Sequence, residues 1–159
     1  MGDETARRSE FEAKYDAYAV MAYRLAMVYL GSHADAEDVV QEAFMRLLYR
    51  APEFTDAGHE RRWLLRVTVN LCRDCLRGFW RKRAVELEPD TPAAENGLSE
   101  VAEAIVRLPE KYKAPIHLHY YEGYSVAEIA EILSLSQSAV KMRLKRGRDL
   151  LRLEMEGET

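Results

Sequence analysis

The stretch YSVAEIAEILSLSQSAVKMRLKRGRDLL, Tyr124 to Leu151, reads as two short helices joined by a tight turn, with cations gathered on the second. Ser125 and Glu128 have the spacing of a capping box, which opens a helix over 126–133, and Ser136 caps the next one. Ala130 is the small residue where two such helices cross, Ser134 the turn and Val140 the apolar anchor, with Ile129, Leu133, Leu135 and Leu144 as the core between them. Glycine is the usual turn residue because the backbone there is left-handed; a serine costs about 1 kcal/mol at such a position. At about 100° per residue, Val140, Leu144, Gly147 and Leu151 make one buried stripe and leave Lys141, Met142, Lys145 and Arg146 on the opposite side. The pattern predicts a helix-turn-helix whose second helix faces the major groove of DNA. A solvated cationic helix closing a small bundle is the plainer alternative. Two successive capping signals, the spacing of small residue, turn and anchor, and cations confined to the second helix weigh against it.

A DNA-binding chain with a net charge of −4 needs an explanation, and segregation of charge supplies it. Eight cations and one acid, Asp74, fall between Arg61 and Arg83; a second block holds Lys141, Arg143, Lys145, Arg146, Arg148 and Arg152 against Asp149. Acids collect elsewhere, in DAEDVVQE at 35–42 and between Ala84 and Ala104, which has six carboxylates and no Lys or Arg. The field at a contact face follows local charge, so global acidity does not argue against DNA binding.

The 159 residues suffice for one ordinary domain or two very small ones. Eight Gly, five Pro, and abundant Ala, Leu, Glu and Arg predict an all-α chain. Phe11 to Leu30 carries Tyr15, Tyr18, Ala22, Leu25, Ala26 and Tyr29 at helical spacing and stops at Gly31. Ser32 to Asp35 can cap a second helix, Asp35 to Tyr49, with Val40, Ala43, Phe44 and Leu47 on its apolar stripe. Ala51 to Glu60 reads as a loop, and a third helix runs from about Arg61 to Lys82. AVELEPDTPAAENG has the composition of a linker and sets a domain boundary, giving an N-terminal domain at 1–83, a linker at 84–97 and a C-terminal domain at 98–159. Ser99 caps a helix bearing Val101, Ala104, Ile105 and Leu108, and Pro109 opens another that ends near Gly123 and is bent or shortened by Pro115.

In the third helix Arg62, Arg66, Arg73 and Arg77 fall within a sector of about 60°, a cationic ridge with Asn70 beside it and Trp63 at its start. Leu64, Val67, Leu71 and Cys75 are expected on the buried side. A basic ridge edged by an aromatic and an amide suits contact with a nucleic-acid strand and stacking of bases, against the plain reading of an arginine-rich surface. Cys72 and Cys75 form a CxxC inside this helix, without a second ligand pair nearby, and are expected as small buried hydrophobes rather than a redox or metal site. No apolar run reaches the length of a bilayer span, MGDETARRSEFEAKY lacks a signal-peptide core, and Gly2 lacks the Ser or Thr of a myristoylation signal. A soluble, cytoplasmic chain without membrane insertion is therefore expected.

The order DAEDVVQEAFMRL, WLLRVTVNLCRDCLR, an acidic linker, LPEKYKAPIHLHYYEGYSVAEIAEIL and SQSAVKMRLKRGR resembles the bacterial sigma-70 family, specifically its small extracytoplasmic-function (ECF) sigma factors, from about Phe11 to Glu154. The resemblance implies an all-α fold of two small domains, a sigma region 2 helical bundle and a sigma region 4 helix-turn-helix, joined by the acidic linker, without the long domain 3 of larger sigma factors. It implies a transcription initiation factor that binds core RNA polymerase, needs no cofactor or metal, is monomeric when free and is held by an anti-sigma factor. Glu37, Asp38, Gln41 and Glu42 then match the helix that docks on the clamp helices of the largest polymerase subunit. Arg62, Trp63, Arg66, Asn70, Arg73 and Arg77 match the part that opens the minus-10 element and captures its non-template strand as single-stranded DNA. Many relatives carry an aromatic residue three positions before that Trp, where this chain has Glu60. Lys141, Met142, Lys145 and Arg146 match the positions that read the double-stranded minus-35 element, while Ser136, Ser138, Arg143 and Arg148 are placed for phosphates. Two other readings remain in view: a stand-alone helix-turn-helix regulator, which leaves the first ninety or so residues without a reason, and a dithiol enzyme, for which only the CxxC speaks.

Overall fold

The structure, a computed structural model, describes residues 2–83 and 99–157, with side chains through Gly78 and from Ser99 onward; the acidic linker read at 84–97 lies outside the described residues. Seven α-helices follow one another: α1 Gly2–Leu30, α2 His33–Tyr49, α3 Ala57–Arg83, α4 Glu100–Val106, α5 Glu110–Ile116, α6 Val126–Leu133 and α7 Gln137–Glu156, with no strand among the described residues. Helices α1 to α3 pack on one another as an N-terminal bundle, and α7 gathers α4, α5 and α6 into a C-terminal one.

Several ends differ from the sequence reading. Helix α1 begins nine residues before Phe11, in an exposed polar stretch with no apolar periodicity, where Asp3 and Glu4 in the first turn complement the helix dipole. Helix α3 begins at Ala57 rather than Arg61, because Asp56 caps it by accepting from the His59 N–H at 2.8 Å. Pro115 sits inside α5, and the helix continues into a π-helical turn at His117–Tyr121, closed by the Glu122 N–H on the His117 carbonyl at 3.1 Å. Pro115 lacks the N–H that would bond four residues back, and the chain widens directly after it.

The helix-turn-helix forms as the spacing implies. The Ser125 hydroxyl and the Glu128 carboxylate bond each other's backbone N–H at 3.1 and 3.0 Å, and Ser136 caps α7 through the Ala139 N–H at 3.1 Å. Ser134 lies in the left-handed region, φ 56° and ψ 47°. Leu135 N–H bonds the Ala130 carbonyl at 2.9 Å across this turn, the six-to-one bond of a Schellman closure. Val140, Leu144 and Gly147 are buried, with Leu151 half-buried at the end of their stripe. Gly147 marks a close crossing of α7 over α5: a Cβ there would lie 2.8 Å from Ile116 Cγ1 and 3.2 Å from Tyr112 Cβ.

The two bundles share one contiguous apolar core. Helix α1 is packed by α2 and α3 on one side and by α4 and α5 on the other, so Leu25 to Tyr29 are buried in succession rather than on a stripe. Helix α3 is likewise covered by α1, α2 and α6. Its buried face is consequently centred on Leu64, Leu65, Thr68, Val69 and Cys72, whereas Val67, Leu71 and Cys75, expected inside, are half-buried flanks. Thr68 is tolerated because its hydroxyl donates to the Leu64 carbonyl at 2.8 Å.

Gly147→Ala gains the helix propensity of Ala but forces a methyl group into Ile116, and overpacking of this kind costs about 1–3 kcal/mol, so net destabilisation is expected. Ser134→Gly relieves the left-handed strain and is expected to stabilise by up to about 1 kcal/mol. Urea unfolding of both variants checks the opposite signs.

Candidate nucleic-acid and polymerase interface

Three helical faces carry the residues singled out by sequence. On α2, Glu37, Asp38, Gln41 and Glu42 are all exposed. Their helical stripe of Ala36, Val39, Val40, Ala43, Phe44 and Leu47 is buried against α1 and α3, which turns the acids outward. Glu42 keeps one local partner, Arg46 at 3.2 Å. Beside this face an open groove of about 740 Å³ runs between α1 and α2, edged by Glu37, Asp38 and Gln41 and floored by rings and alkyl groups of Phe11, Ala19 and Phe44. Tyr15, Val20 and Met45 stand exposed along it, Val20 at 61%. The acidic reading of the sequence missed this apolar component; Tyr15, at helical spacing with Tyr18 and Ala22, stays exposed and tilts its ring over Phe44 at 4.9 Å.

On α3, Arg62, Arg66, Arg73 and Arg77 lie along one ridge, with Arg66, Asn70 and Arg77 exposed. Arg62 and Arg73 are partly covered by the C-terminal bundle: Arg62 Nε lies 2.7 Å from Glu131 Oε2, and Arg73 Nε lies 3.2 Å from Glu110 Oε1. Trp63 is half-buried at the start of the ridge, its ring edge against Phe54 at 5.6 Å, and Phe54 in turn meets His59 at 5.2 Å. Phe54 and His59 were not anticipated. The signal for them was the aromatic and imidazole flanking an Asp cap, in a segment whose Pro52 and Gly58 suggested only a loop.

Glu60 occupies the position where the resemblance would put an aromatic residue, and it points inward. The Tyr18 hydroxyl donates to one of its oxygens at 2.8 Å, and Lys14 Nζ meets the other at 2.8 Å. Glu60 is 8% exposed, and this hydrogen bond raises the Lys14 pKa above its ordinary value against the opposing pull of burial. The triad ties the first turn of α3 to the middle of α1 and so fixes the direction in which the ridge departs.

On α7, Ser138, Lys141, Met142, Lys145 and Arg146 are exposed, Met142 at 60%, while Arg143 is half-buried. Ser136 spends its oxygen on the helix cap, which leaves its hydroxyl proton for an acceptor outside the helix. Arg148 leans back on α5's π-helical extension, donating to the Tyr120 hydroxyl at 3.2 Å. The stripe Val140, Leu144 and Gly147 anchors α7, so its cationic side faces outward as a continuous strip.

Between the bundles, Lys113 Nζ donates to the Tyr29 carbonyl at 3.1 Å, capping the last turn of α1 from the other half. Burial lowers the Lys113 pKa, partly countered by Glu110. Arg24 Nε lies 3.1 Å from Glu122 Oε1, with His117 Nε2 3.4 Å from the same oxygen, and these two neighbours hold the Glu122 carboxyl below the usual range.

Cys72 is fully buried and Cys75 half-buried, neither of them in a disulfide. Burial pushes the Cys72 thiol well above its ordinary pKa, the reverse of what a nucleophilic dithiol requires. In the folded chain a thiol reagent such as DTNB is expected to modify Cys75 first and Cys72 only on the timescale of unfolding. Rapid modification of both would restore the dithiol reading.

The chain matches the family model Sigma-70 region 2 over residues 15–84 and the model Sigma-70, region 4 over residues 98–151. It is 31% identical to the ECF RNA polymerase sigma factor SigL of Mycobacterium tuberculosis, over 98% of this chain and 94% of that protein. It is 30% identical to the ECF RNA polymerase sigma factor SigW of Bacillus subtilis, over 97% of this chain and 91% of that protein. Among solved structures, CnrH in complex with the cytosolic domain of CnrY superposes with a TM-score of 0.76 at 26% identity, covering 96% of this chain and 91% of that one. The sigma factor RpoE of Bartonella quintana, solved with the anti-sigma factor NepR, shares the fold with a TM-score of 0.75 at 20% identity, covering 92% of this chain and 97% of that one.

Proposed function

Because the chain belongs to the sigma-70 family, among its extracytoplasmic-function (ECF) sigma factors, we propose that it is a transcription initiation factor that binds core RNA polymerase and directs it to specific promoters. The observation that carries the reading is the division of one chain into three outward faces, an acidic one on α2 and basic ones on α3 and α7. An acidic face suits a protein partner, and two basic faces suit DNA at two separate places.

The α2 face, Glu37, Asp38, Gln41 and Glu42, meets the polymerase. Tyr15, Val20 and Met45 supply the apolar area that such an interface needs at its centre, since exposed carboxylates alone contribute mostly to steering and register. The α3 ridge engages the minus-10 element. Arg62, Arg66, Arg73 and Arg77 neutralise phosphates, Asn70 reaches bases or sugar, and Trp63 offers a ring face. Unstacking a base costs a few kcal/mol, and stacking returns about 1–3 kcal/mol per base, so polar and phosphate contacts must make up the difference. Phe54 and His59 support the Trp63 ring and extend that aromatic surface, a role for which Glu60, turned into the bundle, is unavailable.

The α7 strip reads the minus-35 duplex. Lys141, Lys145 and Arg146 have donors for base edges, Met142 contributes apolar contact and shape, and Ser136, Ser138, Arg143 and Arg148 address phosphates. The domain limits at 1–83 and 98–159 with a linker between follow from this division of labour. The protein is not an enzyme on this reading, because the polymerase supplies the chemistry. It acts in the cytoplasm, where promoters are; among the described residues no helix is long and apolar enough to cross a membrane. CnrH was solved with another protein's cytosolic domain, which supports a protein partner for this chain, and an anti-sigma factor is the partner the family implies.

A stand-alone helix-turn-helix regulator accounts for the second bundle alone and gives α2 and the α3 ridge no work. Run-off transcription with bacterial core polymerase on a promoter library separates the two. Initiation that depends on the chain is expected, and Lys141→Ala with Arg146→Ala should lower it tenfold or more, given about 1–3 kcal/mol per base-reading contact. A chain that fails both to bind core polymerase and to initiate would leave the regulator as the better account.

A further inference from the structure

Resting on the initiation-factor reading, we infer that carboxylates of the C-terminal bundle act as internal stand-ins for DNA phosphates on the α3 ridge, so that the free chain restrains its own minus-10 surface. Two of the four ridge arginines are already engaged. Glu131, on the first helix of the helix-turn-helix, brings a carboxylate oxygen to 2.7 Å from Arg62 Nε, with Glu128 at 4.0 Å from Arg62 Nη1. Glu110, in the first turn of α5, lies 3.2 Å from Arg73 Nε. These contacts join residues far apart in sequence, and α6 packs directly along α3, so they are built by the apposition of the two bundles.

Carboxylate and phosphate are recognised by a guanidinium in the same forked geometry, which makes a glutamate a close substitute for a strand phosphate. A phosphate can take Arg62 or Arg73 only by displacing the glutamate. The Arg62 contact also has a loose fit: its Nε–H is buried and does not align on an acceptor, although Glu131 is only 2.7 Å away. An ill-directed pair holds by charge, and charge is what a polyanionic strand competes with. Arg66, Asn70 and Arg77 remain exposed beside the covered pair, so an approaching strand has a place to land before the glutamates leave. Ser138, Lys141, Met142, Lys145 and Arg146 of the α7 strip stay exposed, so the restraint falls on the minus-10 surface and leaves the minus-35 surface open.

The test compares the full-length wild-type chain with Glu110→Gln/Glu131→Gln, in binding to a fluorescent single-stranded DNA oligonucleotide of mixed sequence at fixed salt. Both side chains are about half exposed, so the amides leave the fold intact, and each single variant provides the same readout should the double one misfold. Removing two negative charges strengthens DNA binding wherever they lie, and Glu100→Gln/Glu103→Gln, on α4 of the same bundle, measures that general effect. The ridge variant is expected to bind about two- to tenfold more tightly than this control, the range set by two partly exposed ion pairs. Equal affinity of ridge variant and control overturns the inference. Run-off transcription by the wild-type chain with core polymerase judges the underlying reading separately: initiation with no difference in oligonucleotide binding removes the restraint alone, whereas absence of initiation removes the function on which it rests.

Discussion

The architecture depends on the burial of the last turns of α1. Leu25, Ala26, Met27, Val28 and Tyr29 are consecutive and all inside, which a helix manages only when packed from every side. The N-terminal bundle can cover one side of this segment; α4 and α5 cover the other. The carbonyls at the end of the helix then need donors in a place with little water, and Lys113 reaches across to the Tyr29 oxygen. Its cost is a desolvated ammonium, visible as a lowered pKa. The seam is therefore apolar at its centre and held at its margin by charged groups such as Arg24 with Glu122 and Arg73 with Glu110. That arrangement fixes the register in which the bundles meet.

Much of the C-terminal half was legible in the sequence because its signals are local. A capping box, a serine cap and a stripe at helical spacing each act within a few residues, and Ser134 took up the left-handed turn despite its Cβ. The family resemblance likewise rested on contiguous segments, and the matches to sigma-70 regions 2 and 4 cover those segments. What was not legible depends on contacts between distant parts. The buried face of α3 was expected around Val67, Leu71 and Cys75, because one-sided packing was assumed; packing against α1, α2 and α6 together centres it on Leu65, Thr68 and Val69. Thr68 gives no apolar signal in sequence, and its hydroxyl is satisfied by its own helix. The early start of α1 escaped notice for the opposite reason: residues 2–10 are exposed throughout, so no periodicity marks them.

The candidate faces show the same limit. Charge alone picked out the exposed acids of α2 and the ridge on α3, since charged side chains stay at the surface unless paired. It did not reveal that Tyr15, Val20 and Met45 line a groove beside the acids, or that Glu60 is a buried acid serving Lys14 and Tyr18. Spacing places residues on a face; only the fold shows which faces meet.

The cap that Lys113 places on α1 also has a consequence for the order of synthesis. The first three helices emerge from the ribosome before the donor for the Tyr29 carbonyl exists, and before α4 and α5 can cover Leu25 to Tyr29. During that interval the nascent chain displays a sticky helical end, of the kind that chaperones recognise or that pairs wrongly with a neighbour. Completion of the chain through α5 closes that window, and because both bundles then share one core, their unfolding is coupled.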